Sequence, residues 1–302
     1  MILVTGGTGF LGRVLIRKLI SSGKSVRTLI RPSKKSPQLP SGVPVEVTVC
    51  SLKDERGLRA AMKGIECVIH LASAEEQGSR ADLLSVDIQG TQAVIRAAKD
   101  AHVDRFYYLS HLGADRASAY PVLKAKAIAE NFIRQSGIDF TIFRSGVLYG
   151  PEDHFTTRIA ALIKAMPGFF FTPGEGQSVL QPLWVEDLAT CLIWSLDEKT
   201  TRNQLYSVGG EEYIQFREVV KIIMQAIRVN RFLVPVTPAY LRGLTVLSET
   251  LFHRFPLSIF WMDYLAADRT CPVDTLPRVF GLLPARFSQS LGYLSGAGKM
   301  QN

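Results

Sequence analysis

The sequence predicts an α/β protein with a doubly wound parallel sheet and a smaller C-terminal lobe. Six short apolar runs with strand character alternate with helical patterns as far as residue 144, and a glycine-rich run follows the first of them. Beyond Tyr149 the alternation ends, and proline, glycine and aromatic residues become more frequent. Because strands that alternate with helices form parallel sheets, we expect residues 1–150 to form one domain. Residues 151–302 should form mainly the lobe, with later segments returning to the first domain.

The first strand is predicted at Ile2-Leu3-Val4, and it runs directly into T-G-G-T-G-F-L-G. Apolar residues at helical spacing follow, from Val14 to Ile20. In this pattern Gly6 permits a tight turn, Gly9 lets the backbone approach a phosphate, and Gly12 lets the helix pack closely on the strand. The run therefore predicts a Rossmann-type site in which N–H groups at the start of the helix face a dinucleotide pyrophosphate.

The second strand is predicted at residues 24–30. An Asp or Glu about 20 residues beyond the glycines normally contacts the adenosine ribose, but here Arg31 follows the strand. A guanidinium pairs with phosphate oxygens through two N–H groups, so Arg31 predicts a 2′-phosphate. NADP(H) is therefore the preferred cofactor, and NAD(H) is the open alternative. Ser33, Lys34 and Lys35 are expected to assist, unless Arg31 is simply a surface residue at the start of a loop.

The rest of the first half continues the alternation. Ser51 and Leu52, after the third strand, suit an edge for the adenine ring. Ala72 and Ser73, after the fourth, are small enough for the backbone to approach a ribose. His70 lies within the apolar fourth strand, where a hydrogen-bonded core histidine is more common than a ligand. The predicted strands are residues 45–49, 67–71, 105–110 and 138–144, and the predicted helices are residues 54–62, 81–102 and 118–136.

In the lobe, the patterns predict a strand at residues 181–185 and helices at residues 186–196 and 216–227. Residues 232–268 carry Phe, Leu, Trp and Tyr at loosely helical spacing. This stretch fits three interpretations: lobe core, an amphipathic segment facing a membrane, and a surface for a partner protein. Core is the most frequent of the three.

The net charge of +8 is unevenly distributed. Residues 1–150 carry 21 Lys and Arg against 13 Asp and Glu, residues 151–220 carry 5 against 10, and residues 221–302 carry 9 against 4. The first excess suits an anionic cofactor. The last suits an anionic membrane surface or an acidic protein partner, and solvated surface side chains explain it equally well. Basic and aromatic residues are not interleaved, so no nucleic-acid partner is predicted.

The four cysteines have no CxxC spacing. They predict neither a metal site nor a disulfide framework, and therefore a reducing compartment. Met1 runs straight into the first strand without a secretory signal, and no run of 18 apolar residues predicts a transmembrane span. We therefore expect a cytoplasmic protein, with peripheral membrane association as the alternative.

A candidate acid–base pair follows the fifth strand, in Tyr120-Pro-Val-Leu-Lys124. Residues four apart on a helix share one face. A nearby ammonium lowers the pKa of a tyrosine, as a proton donor at neutral pH requires. Lys124 is also suited to hold the nicotinamide ribose. Pro121 is compatible only with a first helical turn, so the helix should begin near residues 118–120.

Further runs stand out beside T-G-G-T-G-F-L-G. They are H-L-A-S at residues 70–73, G-T at 90–91, Y-P-V-L-K at 120–124, R-S-G-V-L-Y-G-P-E-D at 144–153 and V-E-D at 185–187. Together they resemble the extended or atypical short-chain dehydrogenase/reductase superfamily. S-H-L-G-A at 110–114 and D-H-F at 153–155 most resemble its NmrA-like branch, which includes the nucleotide-binding accessory subunit of respiratory complex I and bacterial relatives. The resemblance spans roughly residues 1–290 and is most specific in the cofactor half.

The resemblance implies roles for individual residues. The catalytic positions are Tyr120 and Lys124, with Ser110 as the serine at the strand end. The cofactor-binding positions are Gly6, Thr8, Gly9, Phe10, Leu11 and Gly12 at the pyrophosphate, Arg31 at the 2′-phosphate, Ser51 and Leu52 at the adenine, Leu71, Ala72 and Ser73 at the middle of the cofactor, and Lys124 at the ribose.

Two positions depart from the superfamily pattern. An Asp usually lies beside the adenine, where this chain has Ser51. Catalytically competent members carry a Ser or Thr two residues after the strand-end serine, where this chain has Leu112. That hydroxyl normally binds the substrate oxygen, and losing one such donor costs about 3 kcal/mol. Ser110, Ser118 and His111 are the available replacements.

These observations favour an oxidoreductase that transfers hydride between NADPH and a small carbonyl-type substrate. The alternative is a non-catalytic NADP(H)-binding accessory, sensor or assembly subunit of a larger complex, in which Tyr120 and Lys124 only bind the cofactor. Leu112 and the basic C-terminal segment support that alternative. A nucleotide-sugar epimerase or dehydratase is least favoured, because the acidic ribose contact is absent and the lobe lacks a basic cluster for a sugar nucleotide.

Overall fold

The structure, a computed structural model, describes residues 1–33, 36–251 and 258–295, with only the backbone of Thr250. The chain divides into two compact units. The first comprises residues 1–74, 82–145 and 188–207. The second comprises residues 75–81, 146–187 and the described residues from 208 onward.

Thirteen strands lie in the described residues. They are β1 Ile2–Thr5, β2 Val26–Ile30, β3 Glu46–Val49, β4 Cys67–His70, β5 Arg105–His111, β6 Asp139–Ser145, β7 Leu148–Tyr149, β8 Phe169–Pro173, β9 Val179–Leu180, β10 Leu183–Trp184, β11 Gln204–Val208, β12 Ile214–Gln215 and β13 Phe232–Val236. The strand expected at residues 181–185 is shorter than predicted, because a helix already begins at Val185.

Ten α-helices lie in the same described residues. They are α1 Phe10–Ser21, α2 Glu55–Ala61, α3 Thr91–Asp100, α4 Pro121–Arg134, α5 Thr156–Ala165, α6 Val185–Asp197, α7 Phe216–Ile227, α8 Pro238–Leu251, α9 Ile259–Tyr264 and α10 Thr275–Phe280. The long helix expected at residues 81–102 is instead a π-helical segment, Leu84–Gly90, that continues into α3. In the described part of the chain, no helix combines the length and the apolar character needed to cross a bilayer.

Seven strands form one sheet in the order β11-β6-β5-β4-β1-β2-β3. Every pairing from β3 to β6 is parallel, which confirms the predicted doubly wound sheet. The strand order reverses between β1 and β4. In open sheets of this kind, ligands bind at the carboxyl ends of the strands beside that reversal.

The core of the first unit explains the continuous apolar runs in its strands. Leu3, Val68, Phe106 and Ile142, from four neighbouring strands, are wholly buried in one cluster with residues of α2, α3 and α4. Strands of a parallel sheet that is covered on both faces need apolar residues on both faces. The edge strand β3 differs, because its Val49 is exposed.

A buried arginine ties the returning segment 188–207 to the sheet. Arg105, on β5, donates to Thr141 Oγ1 at 2.8 Å, to the carbonyl oxygen of Glu198 at 3.1 Å and to Thr201 Oγ1. Thr141 in turn donates to the carbonyl oxygen of Thr201 at 2.8 Å. A buried guanidinium must have such acceptors to be tolerated, so this segment completes the first unit.

Within its described residues, the second unit contains three two-stranded sheets: β7 with β10, β9 with β12, and β8 with β13. Asp153, part of the D-H-F run, is buried between β7 and α5. Its carboxylate accepts hydrogen bonds from the N–H groups of Gly150, Phe155 and Thr157 at 2.9–3.0 Å. Asp153 therefore fixes the start of α5, a structural role in this unit.

Helix α8, inside the stretch 232–268, carries its apolar side outward. Its buried side holds Thr245 and Ser248, whose hydroxyls donate to the carbonyl oxygens one turn earlier at 2.8 Å and 2.7 Å. Four residues at helical spacing are each more than half exposed: Tyr240, Leu244, Leu247 and Leu251. The core interpretation is therefore wrong for this face, although it holds for Phe260, Trp261 and Tyr264 of α9, which are buried. Residues 252–257 of the stretch lie outside the described part.

Candidate functional site

The glycine turn after β1 is closed by backbone contacts. The N–H of Gly9 donates to the carbonyl oxygen of Gly6 at 2.9 Å. Gly6 has φ +72°, and a Cβ there would lie 2.7 Å from the backbone nitrogen of Ala72. A side chain at Gly6 is therefore excluded both by its conformation and by the end of β4.

Two further glycines bring α1 against the sheet. A Cβ on Gly12 would overlap the carbonyl oxygen of Gly6, and a Cβ on Gly7 would overlap Oγ1 of Thr28 on β2. Gly12 is buried, as expected for close packing of helix on strand. Gly7 was not among the predicted residues, although its place between two motif glycines was the available signal.

The first turn of α1 offers hydrogen-bond donors to an anion. Gly9 is the N-cap and is exposed, with no side chain satisfying the helix start. The first intrahelical bond runs from the N–H of Arg13 to the carbonyl oxygen of Gly9 at 3.0 Å. The N–H groups of Phe10, Leu11 and Gly12 therefore have no acceptor within the helix and are available to a ligand, and the helix dipole favours negative charge there. Arg13 holds the turn by donating to the carbonyl oxygen of Thr8 at 2.9 Å. These residues fit a pyrophosphate.

The end of β4 lies beside this turn through Thr5. The N–H of Leu71 donates to the carbonyl oxygen of Thr5 at 3.1 Å, and the N–H of Ala72 reaches Thr5 Oγ1 at 3.4 Å. Leu71, Ala72 and Ser73 are partly exposed. The structure therefore brings these three predicted residues to the same sheet edge as the glycines.

His70 is a satisfied core histidine, as predicted. Its Nδ1 lies 2.6 Å from Thr5 Oγ1 and its Nε2 lies 2.9 Å from Thr91 Oγ1. Burial, reinforced by the charge of Lys126, lowers the pKa of His70 to about 3. The ring is therefore neutral near pH 7 and positions β1 against α3.

A buried ion pair supports Ser73. Ser73 Oγ donates to Asp87 Oδ1 at 2.6 Å, and the N–H of Ala74 donates to Asp87 Oδ2 at 2.9 Å. Lys126 Nζ lies 3.7 Å from Asp87 Oδ1 and 5.6 Å from the centre of the Tyr108 ring. The sequence reasoning missed Asp87 and Lys126. The available signal was a carboxylate on the predicted helix that carries the G-T pair.

The adenine-side residues follow the second and third strands. Arg31 is exposed directly after β2. Ser51 Oγ accepts the N–H of Lys53 at 3.2 Å, so its hydroxyl caps a turn. Leu52 packs against Gly90, where an added Cβ would lie 2.9 Å from Leu52 Cδ1. Lys34 and Lys35, expected to assist Arg31, lie outside the described residues.

Tyr120 and Lys124 lie one turn apart at the start of α4. Tyr120 is the N-cap, with Pro121 in the first turn, so the helix starts where the proline requires. Tyr120 has extended backbone angles and thus precedes the helix, which corrects the expectation that both residues share a helical face. The N–H of Lys124 donates to the carbonyl oxygen of Tyr120 at 3.0 Å. Tyr120 is partly exposed and Lys124 is exposed.

The hydroxyl groups near the end of β5 are poorly placed to contact a substrate. Ser110 is fully buried, with 0% exposure, and its Oγ has no hydrogen-bond partner among the described residues. Leu112 is also buried, and its N–H donates to the carbonyl oxygen of Ser145 at 3.0 Å. Ser118 Oγ accepts the N–H of Tyr120 at 3.1 Å. Ser110 would contact a substrate only if the end of β5 moved.

Residues 6–167, more than half of the chain, match the NAD(P)H-binding family. NADH dehydrogenase (ubiquinone) 1 alpha subcomplex subunit 9 of Arabidopsis thaliana is 28% identical over 74% of this chain. The match covers 57% of the length of that protein. Photosystem II assembly factor Ycf39 of Synechocystis is 25% identical over 97% of this chain and 89% of that protein.

Solved structures share the fold. NADPH-dependent quinone oxidoreductase from Escherichia coli, complexed with NADPH, has a TM-score of 0.78 at 20% identity, covering 97% of this chain and 99% of that chain. UDP-glucose 4-epimerase of Thermus thermophilus, complexed with NAD, has a TM-score of 0.72 at 21% identity, covering 98% and 97%. The glycine turn, the sheet order and the family match agree. This chain belongs to the NAD(P)H-binding, NmrA-like family of the extended short-chain dehydrogenase/reductase superfamily.

Proposed function

We propose that the chain is an NADPH-dependent oxidoreductase that acts on a small carbonyl-type substrate. The observation that carries the proposal is the position of Tyr120 and Lys124 at the start of α4, directly after the loop that follows β5. β1, β4 and β5 are adjacent and parallel, so the glycine turn, Leu71–Ser73 and this loop all leave the sheet at the same edge.

Each group has a defined task in this proposal. NADPH, when bound, supplies the hydride. The N–H groups of the α1 first turn bind its pyrophosphate, and Ala72 and Ser73 line its middle. Lys124, one turn after Tyr120, holds the nicotinamide ribose. Tyr120 then moves a proton to or from the substrate oxygen, a step typically worth about 10²–10⁴ in rate.

The preference for NADPH rests on Arg31. It is exposed after β2, at the position where a carboxylate would bind the ribose of NADH. Arg31→Ala should therefore weaken NADPH binding about tenfold or more, as loss of a charge-assisted pair implies, and leave NADH binding nearly unchanged. Arg56→Ala, at an exposed position of α2, is the matched control. Equal weakening of both cofactors would remove the 2′-phosphate role.

A second function is favoured by Leu112 and Ser110. An apolar residue occupies the usual hydroxyl position, and the nearest serine on the strand is fully buried. A non-catalytic NADP(H)-binding accessory, sensor or assembly subunit needs neither hydroxyl. The relatives named for a complex I subunit and for an assembly factor fit this alternative, with a protein complex or membrane surface contacted through the basic C-terminal segment.

The deciding experiment is calorimetry with NADPH and NADH, followed in the same sample by a panel of carbonyl substrates monitored at the NADPH absorbance. We expect tighter NADPH binding and oxidation by at least one substrate. Tyr120→Phe should then reduce turnover by about 10²–10⁴ with cofactor affinity retained, while Tyr240→Phe, an exposed tyrosine on α8, should not. Tight binding without oxidation would favour the accessory subunit, to be pursued by pull-down and membrane flotation.

A further inference from the structure

The segment that follows β4 is held at both ends by hydrogen bonds to the protein. At one end, the N–H of Ala72 reaches Thr5 Oγ1 at 3.4 Å. At the other end, the hydroxyl of Ser73 donates to Asp87 Oδ1 at 2.6 Å, and the N–H of Ala74 donates to Asp87 Oδ2 at 2.9 Å. The donors that meet Asp87 are therefore turned away from the sheet edge and into the protein.

Asp87 lies in the π-helical segment Leu84–Gly90. π-Helical turns are rare and are frequent at functional sites. The carboxylate of Asp87 is 1% exposed, and its partner Lys126 is also buried. Because burying two charges costs free energy that an apolar pair would not lose, this ion pair is more informative about function than about stability.

The hydroxyl of Ser73 has a fixed direction. A serine hydroxyl has one proton and two lone pairs, and here the proton is committed to Asp87. Donors reach both oxygens of that carboxylate, and Lys126 Nζ lies 3.7 Å from Oδ1, which is the environment of an ionised carboxylate that only accepts. Ser73 is partly exposed. Towards a ligand, its hydroxyl can therefore offer only lone pairs, which suit a hydroxyl donor and not a phosphate.

The place of Ser73 in the sheet indicates which part of a nucleotide it meets. Strands β4 and β2 lie on opposite sides of β1. The glycine turn after β1 suits the pyrophosphate, and Arg31 after β2 suits the 2′-phosphate on the adenosine half. The end of β4 is therefore on the side of the nicotinamide half, whose ribose has two hydroxyl groups.

We propose that Asp87 is a positioning residue for the nucleotide, which holds the Ser73 hydroxyl so that Ser73 Oγ accepts a hydrogen bond from the ribose of the nicotinamide half. Lys126 balances the charge of Asp87 inside the protein. This role rests on the nucleotide site of the proposed function, but it requires no hydride transfer. The site then has donors for phosphate at the start of α1 and an acceptor for a ribose hydroxyl at Ser73.

The test compares two probes by calorimetry with the full chain: NADPH and adenosine 2′,5′-bisphosphate, which lacks the nicotinamide ribose. Ser73→Ala removes the acceptor, so NADPH should bind about fivefold more weakly, as one net hydrogen bond implies. The bisphosphate should bind as it does to the parent chain. Ser21→Ala, at the exposed last residue of α1, is the matched control and should change neither affinity.

A merely structural role of Ser73 gives a different result. A Cβ on Gly6 would lie 2.7 Å from the backbone nitrogen of Ala72, so a loosened segment would disturb the glycine turn and weaken both probes. Equal weakening of both probes, or unchanged NADPH affinity in Ser73→Ala, would overturn the positioning role and leave the proposed function intact. No NADPH binding by the parent chain would overturn both.

Asp87→Asn tests the direction of the hydrogen bond. The amide keeps an oxygen for the N–H of Ala74 and turns its NH₂ towards Ser73, whose own proton must then point outwards. NADPH affinity should fall as in Ser73→Ala, with bisphosphate binding retained. Because both changes remove one interaction, the double variant should bind NADPH no more weakly than either single variant. Additive losses would show that Asp87 does not act through Ser73.

Discussion

The nucleotide-binding edge of the first unit is made largely of backbone, whereas a cavity in the second unit is made of side chains. At the edge, three glycines and the N–H groups of α1 form the surface, and buried polar groups around His70 and Asp87 hold it in place. The second unit contains a cavity of about 150 Å³ that is lined mainly by apolar residues, from segments spread between His154 and Leu265. The nucleotide-binding edge therefore depends on the buried hydrogen bonds and the ion pair beneath it, whereas the cavity depends on the shapes of the side chains that line it.

The largest change in the free energy of unfolding is expected when the ion pair between Asp87 and Lys126 is broken. Lys126→Met leaves the Asp87 carboxylate buried without its ammonium partner, so the free energy of unfolding should fall by about 3–5 kcal/mol. Lys124→Met, two residues earlier on the same helix but exposed, should change stability by less than about 0.5 kcal/mol. Urea unfolding of both variants makes the measurement. Equal effects would show that Lys126 is not specifically supporting the edge.

The second-largest effect is expected when a methyl group is added at the glycine turn. Gly12→Ala forces a Cβ into the carbonyl oxygen of Gly6, so α1 must shift. We expect a loss of about 1–3 kcal/mol in stability together with at least tenfold weaker nucleotide binding. Gly243→Ala, in α8 with nothing within 4 Å of the added Cβ, should instead stabilise by up to about 1 kcal/mol. Unchanged calorimetric affinity in Gly12→Ala would contradict the packing role.

Lowering the pH should reveal the contribution of His70 to the free energy of unfolding. Its folded pKa of about 3 lies below the unfolded value near 6.5. The unfolded chain therefore binds the extra proton first, and stability is lost as pH falls from 6.5 towards 3, at up to about 1.4 kcal/mol per pH unit. The measurement is the slope of unfolding free energy between pH 4.5 and 6.5. Burial raises the pKa of Glu76 to about 7, which gives a slope of the opposite sign in this range, so the test is the difference between the parent chain and His70→Gln. Equal slopes in the two proteins would contradict the role of His70.

The smallest effect is expected on the outward side of α8. Leu247→Gln replaces an exposed leucine and should change the unfolding free energy by no more than about 0.5 kcal/mol. Leu241→Ala, on the buried side of the same helix, should cost about 2–5 kcal/mol. The measurement is thermal unfolding of both variants. A large loss of stability in Leu247→Gln would mean that this face is covered within the chain.

The contrast between the units also explains what the sequence could predict. T-G-G-T-G-F-L-G determines a backbone path within eight neighbouring residues, so the turn, the strand before it and α1 were predicted closely. The core role of His70 was also predictable, because its strand is apolar. The Asp87–Lys126 pair joins residues 39 positions apart, and no local pattern indicates that two charged side chains are buried together.

The outward face of α8 was not predictable for the same kind of reason. Tyr240, Leu244, Leu247 and Leu251 have the spacing of a core-facing stripe, and Thr245 and Ser248 look like a solvent-facing one. Their hydroxyl groups donate to carbonyl oxygens of the same helix, which allows the two side chains to be buried. Only the packing of the surrounding elements decides which side of such a helix is inside.

Arg105 has a consequence for how the chain emerges from the ribosome. Its guanidinium is placed in β5, but two of its acceptors, Glu198 and Thr201, are synthesised more than 90 residues later. At roughly 5–20 residues per second, several seconds separate the two. During that interval Arg105 can donate to Thr141 on β6 but lacks its two later acceptors, and the nascent sheet lacks β11 beside β6. A chain terminated at residue 150 would lack both features permanently, so an expression fragment must extend at least to Val208, the last residue of β11.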